Sequence, residues 1–251
     1  MHRFHERIHF REIGSTHSYA MSRGAELPDR MIVTADFQRE GRGRRGRVWS
    51  APIDSSLLFS IVLKPGFPPA TAPLTGHMLA ASISAALEDA GVPAYIRWPN
   101  DVMAGKAKIA GVLAEASVTG ERLDFVVVSA GINVNQDRAA LAHIERPATS
   151  LLIETGRPRE PMELMQPLLS RFGALYDSLR AGGAAAVAKE WQGRCCLTGE
   201  RVALDLGSRI VEGVVRGFSE DGSIIIEEGP GRVSSHSSGE VIRLACGPER
   251  T

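Results

Sequence analysis

Residues 30–64, RMIVTADFQREGRGRRGRVWSAPIDSSLLFSIVLK, decide the fold class. Two apolar runs of strand length, Arg30–Phe37 and Leu57–Lys64, flank a loop dense in arginine and glycine, Gly41–Arg47. A helical pattern follows over Leu74–Ala90 and stops at Gly91; a shorter one precedes over Ser15–Gly24, with Ser15 or Thr16 as its N-cap. Strand, loop, strand, helix is a mixture of α and β elements. Tyr95–Trp98 reads as a short strand stopped by Pro99. Lys108–Ala116 and Leu123–Ser129, joined across Thr119 and Gly120, read as a hairpin, which makes the sheet partly antiparallel. Leu164, Leu168, Phe172, Leu175 and Leu179 recur at spacings of three and four, so Pro161–Arg180 is an amphipathic helix ending near Gly182 and Gly183, and Ala181–Ala188 is a helix or a helix end. After Trp191 come four short strands, Arg201–Leu206, Ile210–Phe218, Ser223–Glu228 and Val241–Leu244, with turn residues between them, the pattern of a small β-barrel. The fold class is therefore α+β, a mixed sheet with helices over residues 1–193 and a small β domain over 194–251.

Composition narrows the function classes. Of 251 residues 43% are apolar and 23% charged, as in ordinary globular chains. Lys plus Arg and Asp plus Glu both number 29, so overall charge supplies no reason to bind nucleic acid. No apolar run approaches the roughly 20 residues of a membrane span, and the start MHRFHERIHF lacks the apolar core of a signal peptide. A cytoplasmic protein is the expectation. Cys195, Cys196 and Cys246 form neither a disulfide framework nor a zinc spacing, and are expected to be reduced and structural.

Three segments carry chemistry. Arg39, Arg42, Arg44, Arg45 and Arg47 interleave with Gly41, Gly43 and Gly46: glycines let backbone amides approach an anion, and guanidinium forks match phosphate or carboxylate. Trp49 adds a flat face for a base. A solvated basic loop or an RNA-binding tail is the competing explanation, disfavoured because the run lies between two core strands. In RWPNDVMAGKAKIAGVLAE (97–115), Asn100 and Asp101 stand at a strand tip, and Asp101 beside a phosphate site is a natural magnesium ligand. Lys108, which leads directly into the apolar run Ile109–Leu113, is a better electrostatic catalyst than Lys106 in the turn; a hairpin with ordinary surface lysines is the alternative. In GINVN (131–135), Asn133 and Asn135 alternate with apolar residues, so both amides are expected on one side, unless they are simply turn formers.

In order, STHS (15–18), ADFQREGRGRRGRVWS (35–50), RWPNDVMAGKAKIAGVLAE and GINVN resemble the biotin protein ligase family, across nearly the whole chain. The resemblance implies a catalytic domain akin to class II aminoacyl-tRNA synthetases and an SH3-like C-terminal barrel. It implies two half-reactions: biotin and Mg-ATP give biotinyl-5′-AMP and pyrophosphate, and a lysine of a biotin carboxyl carrier protein then takes the biotinyl group. Ser15, Thr16, Gln38 and the backbone around Gly111 would meet the ureido ring, with Arg42 and Gly43 closing near the valerate. His17 joins this set although the family commonly has Asn there. Arg44 and Arg47 would hold phosphates, Trp49 would stack near adenine, Asn100 and Asn133 would contact the nucleotide, and Asp101 would ligate Mg2+. Lys108 would touch both the biotin carboxylate and the α-phosphate, and with Arg44 forms the catalytic pair. Arg97, where the family usually has Lys, is left outside it. Because the Ser-Thr segment begins at residue 15, a ligase without the operator-binding domain of some members is expected, with no DNA or membrane partner. A homodimer by sheet addition is a family property without a signature in this sequence. Lipoate ligases and lipoyl or octanoyl transferases are the rival class; the transferases use a cysteine absent from the matched region.

Overall fold

The computed structural model describes Phe4 and residues 6–244, so Cys246 lies outside the described residues. Its first sheet has seven strands, β1 (Arg7–Ile13), β2 (Met31–Gln38), β3 (Ser56–Leu63), β4 (Tyr95–Arg97), β5 (Asp101–Ala104), β6 (Ala107–Thr119) and β7 (Arg122–Asn133). Their spatial order is β1-β2-β3-β7-β6-β5-β4. Only β1 and β2 pair in parallel; the other neighbours are antiparallel. A second, all-antiparallel sheet has the order β11-β10-β9-β8-β12, built from β8 (Arg201–Asp205), β9 (Ile210–Phe218), β10 (Ile224–Gly229), β11 (Arg232–His236) and β12 (Glu240–Leu244). The helices are α1 (Thr16–Arg23), α2 (Pro73–Asp89), α3 (Arg138–Leu141), α4 (Leu151–Thr155), α5 (Met165–Arg180) and α6 (Ala184–Gly193).

Alternation along the central strands decides what each face of the first sheet carries. Leu57, Phe59 and Ile61 of β3 with Val126, Val128 and Ile132 of β7 join the core formed with α2, α5 and α6. On the opposite face, Val62, Phe125 and Val127 pack under Ala20 of α1. Continuing along that second face, β7 presents Ser129, which His17 in the first turn of α1 still touches, and then Gly131 and Asn133. An apolar cover at one end and small or polar residues at the other leave a cavity there.

The pattern predicts no strand over 7–13, 101–104 or 232–236, yet β1, β5 and β11 form. β1 and β11 are edge strands that are half exposed, so apolar alternation is weak in both. β5 is the four-residue return that Gly105, at φ +54°, makes possible. The main core includes Val202, Leu204, Val215 and Ile224 of the second sheet alongside residues of the first. Trp98 Nε1 donates to the Gly222 carbonyl at 2.9 Å, and Trp191 contacts both His77 and Phe218. Residues 194–196 run beside β4, where Cys196 N–H donates to the Ile96 carbonyl.

Candidate active site

The cavity on the open end of the first sheet measures about 640 Å³. Its floor is made of two paired glycines, Gly111 of β6 and Gly131 of β7. A Cβ on Gly131 would lie 2.3 Å from Trp49 Cε2, and one on Gly111 would lie 2.8 Å from Lys108 Nζ and 3.1 Å from Trp49 Cζ3. The bare backbone is thus what admits the indole, whose Nε1 is buried without a hydrogen-bond partner. Lys108 Nζ stands 5.6 Å from the centre of the same ring.

The arginine loop closes one side. It is a tight hairpin, with Gly43 N–H donating to the Arg47 carbonyl at 2.7 Å and Trp49 N–H to the Gly41 carbonyl at 2.8 Å. Arg44 donates to Asn100 Oδ1 at 3.2 Å, and burial, followed by the neighbouring Arg45, pulls its guanidinium below the usual arginine range. Arg47 holds both oxygens of Glu240 at 3.0 Å, and Arg146 also pairs with that carboxylate. Arg45 reaches Asp205 at 3.3 Å and Glu240 at 3.8 Å. A carboxylate of the second sheet therefore sits among guanidinium groups of the first. Sequence reasoning missed Arg45, Arg146 and Glu240 as partners, because nothing local links Arg47 to a residue 193 positions away.

At the foot of the cavity, Lys108 Nζ lies 2.6 Å from Asp101 Oδ1 and Arg97 is 3.0 Å from Asp101 Oδ2. Burial alone would raise the Asp101 carboxyl, but Lys108 and then Arg97 hold it below the ordinary aspartate range. Asn100 donates to the Val112 carbonyl. Asn133 donates to the Thr149 carbonyl at 2.9 Å and accepts from Gln136 at 2.9 Å. Asn135 does not share this side: β7 ends at Asn133, alternation ends with it, and Asn135 bonds instead with the Arg159 backbone. Among the described residues no group of three His, Cys, Asp or Glu side chains could hold a metal by itself.

The inner end is polar and neutral. Thr16, at the start of α1, gives its backbone N–H to Gln38 Oε1 at 2.7 Å, and its hydroxyl lies 3.0 Å from the same oxygen. Behind it follow Ser60 at 2.9 Å and Ser129 at a further 2.7 Å. His17 Nδ1 is 2.7 Å from Ser129, and its Nε2 is 3.0 Å from Glu115, whose other oxygen lies 3.9 Å from Arg42. Ser15 and His17 do not line the cavity: Ser15 caps α1 by accepting from Ser18 N–H at 3.3 Å, and His17 is buried behind Ser129. Ser129 was the overlooked residue here; its signal is a lone hydroxyl inside the apolar run FVVVSAG.

The other expected residues, Gln38, Arg42 and Gly43 with Arg44 and Arg47, converge on this one cavity with Trp49, Asn100, Asp101, Lys108, Gly111 and Asn133. Cys195 and Cys196 form no disulfide, and burial pushes the Cys195 thiol up to about 12, which suits an inert packing residue. No helix among the described residues is long and apolar enough to cross a membrane.

Comparison with known proteins places this geometry. The Biotin/lipoate A/B protein ligase family matches residues 10–133. A biotin--[acetyl-CoA-carboxylase] ligase of Paracoccus denitrificans is 31% identical over 226 residues, covering 87% of this chain and 92% of the relative. A protein of the same name from Mycobacterium tuberculosis is 30% identical over 244 residues, covering 93% and 87%. Among solved structures, a biotin protein ligase from Aquifex aeolicus in complex with biotin and ATP superposes with a TM-score of 0.78 at 31% identity, over 94% of this chain and 97% of that one.

Proposed function

The chain belongs to the biotin/lipoate A/B protein ligase family, on its biotin protein ligase branch, and from that premise we propose how its cavity joins biotin to ATP and then to a carrier lysine. The protein is an ATP-dependent biotin ligase, and acetyl-CoA carboxylase is the class of protein it serves. The observation that carries the residue-level reading is the gradient inside one cavity. Neutral hydroxyls and an amide stand at one end and guanidinium groups at the other, and Lys108 lines the same cavity. A vitamin with a neutral cyclic urea and a carboxylate tail fits the first half, and a triphosphate fits the second.

In the first step a biotin carboxylate oxygen attacks the α-phosphorus of ATP, the bond to the β-phosphate oxygen breaks, and pyrophosphate leaves. Two anions must meet, so the barrier falls when cations fixed in a water-poor site neutralise the approach. Lys108 and Arg44 take that task, Arg47 binds phosphates, Trp49 and Asn133 with Asn100 position the nucleotide, and Gln38 with Thr16 holds the ureido ring. Arg42 and Gly43 close near the valerate. Ser15 serves by setting the start of α1. In the second step the neutral amine of the carrier lysine attacks the acyl carbonyl and AMP leaves with the bonding electrons. Asp101, held ionised, would be the residue to hold a Mg2+ ion arriving with ATP, through the oxygen that Lys108 gives up. Bound with ATP, that ion would lessen the negative charge of the phosphates. The finer architecture we propose is a synthetase-like catalytic domain over 1–193 and an SH3-like barrel over 194–251, with homodimerisation through a sheet edge as the assembly.

Biotin-dependent exchange of labelled pyrophosphate into ATP tests this function. Exchange with biotin and none with lipoate or octanoate is expected; the reverse pattern moves the protein to the lipoate branch.

A further inference from the structure

Glu240 stands on the guanidinium side of the cavity, and more cations converge on it than one carboxylate can satisfy. Arg47 holds both of its oxygens at 3.0 Å, Arg146 closes on Oε1 as well, and Arg45 lies 3.8 Å from Oε2. Among the described residues, six arginine and lysine side chains line the cavity against three carboxylates, a surplus of three positive charges. Guanidinium groups crowded on one anion repel each other, so this corner favours an anion with more charge and more oxygens. A terminal phosphate, with about two negative charges and three acceptor oxygens, has both. Each guanidinium can then take an oxygen of its own.

The corner also lies where a phosphate chain starting at Lys108 would end. Lys108 N–H donates to the Pro147 carbonyl at 2.8 Å and Thr149 N–H to the Lys108 carbonyl at 2.9 Å, so Arg146 is carried on a segment tied to the strand of Lys108. Arg44 spans the gap. It donates on one side to Asn100, the neighbour of Asp101, and on the other at 3.4 Å to the Gly239 carbonyl, the neighbour of Glu240.

Resting on the ligase function above, we propose that Arg146 is a further phosphate-binding residue, and that Glu240 is a placeholder whose carboxylate yields Arg47 and Arg146 to the terminal phosphates of ATP. Pairing with Asp205 holds the Glu240 backbone in β12, so the exchange is a rotation of one side chain. Carboxylate and phosphate therefore compete for the same guanidinium groups. The same competition meets pyrophosphate once the adenylate has formed, and favours its departure.

Titration calorimetry of α,β-methylene-ATP, whose α–β link cannot be cleaved, into the whole protein saturated with biotin reads both halves of the proposal. Glu240→Gln keeps the shape and one acceptor oxygen but removes the competing charge, and should tighten binding about tenfold, the scale of one charge-assisted hydrogen bond. Arg146→Met keeps the apolar stem and should weaken binding by about the same factor. AMP, which has no terminal phosphates, should bind both variants as it binds the wild type. A bridge that only joins the two sheets gives a different result: Glu240→Gln then binds the analogue no more tightly than the wild type, and Arg146→Met binds it equally well. Either of these, or AMP affinities that move with those of the analogue, overturns the placeholder alone, while biotin-dependent pyrophosphate exchange by the wild type keeps the ligase function in place. A wild type that neither binds the analogue nor catalyses that exchange overturns the ligase function itself, and the placeholder with it.

Discussion

Lys108 Nζ sits 2.6 Å from Asp101 Oδ1 while Arg97 grips the other oxygen of the same carboxylate at 3.0 Å. The ammonium is thereby held at the foot of the cavity, within range of the Trp49 ring, before any substrate arrives. A carboxylate that keeps Arg97 can release Lys108 without being left as a bare buried charge. Lysine is suited to that exchange because it is a compact point charge, whereas the guanidinium fork of arginine carries a fixed geometry.

Lys108→Ala should therefore slow adenylate formation by about 10²–10³-fold, the usual scale for removing one preorganised electrostatic donor. The fold should be intact, and Lys108→Arg should not restore the rate. Single-turnover formation of biotinyl-AMP measures this step; a rate near that of the wild type removes Lys108 from the chemistry.

Gly131→Ala tests the glycine floor. Its Cβ would fall 2.3 Å from Trp49 Cε2, so the indole must leave its place. Overpacking of this kind costs about 1–3 kcal/mol, and kcat/KM for ATP should fall about tenfold or more with secondary structure unchanged. Tryptophan emission should shift to the red as the ring moves toward water. Unchanged emission together with unchanged ATP kinetics would mean that the floor does not seat this ring.

What the sequence alone discloses follows from range. The strand before the arginine loop and the strand after it are legible because apolar runs and turn residues are local properties, and Ser15 is legible as a cap for the same reason. β1 escapes because an edge strand with an exposed flank need not alternate cleanly. Asn133 and Asn135 look equivalent in a string of residues, yet the strand ends between them, and only one faces the cavity. Glu240 escapes altogether: its pairing with Arg47 joins two sheets, and no local pattern encodes it.

Glu240 anchors the loop across the two sheets by its links to Arg47, Arg45 and Arg146. The arginines are about a third to a half exposed, so the network is screened and Glu240→Ala should change global stability by less than about 1 kcal/mol. Local order should respond more strongly. Trypsin should cut the ligand-free variant within residues 39–47 several-fold faster than the wild type, and biotin with ATP should restore protection. Equal cutting rates would show that the loop is held by its own hairpin bonds alone.

His77 makes the shared core of the two sheets sensitive to acid. It lies on α2, stacked on Trp191 at 4.2 Å between ring centres, and a Cβ on Gly222 of the second sheet would collide with its ring. Burial lowers its pKa to about 4, against the influence of Asp221. In the unfolded chain a histidine titrates near 6.5, so between about pH 6.5 and 4 the unfolded state binds the extra proton. Stability should be flat above pH 7 and fall as the pH drops through that window, by ~2 kcal/mol between pH 7 and 5 from this group. Urea unfolding at the two pH values measures the loss, and His77→Phe, which keeps an aromatic ring against Trp191 and has nothing to protonate, should flatten the dependence. Equal slopes in wild type and variant would place the acid sensitivity in other groups.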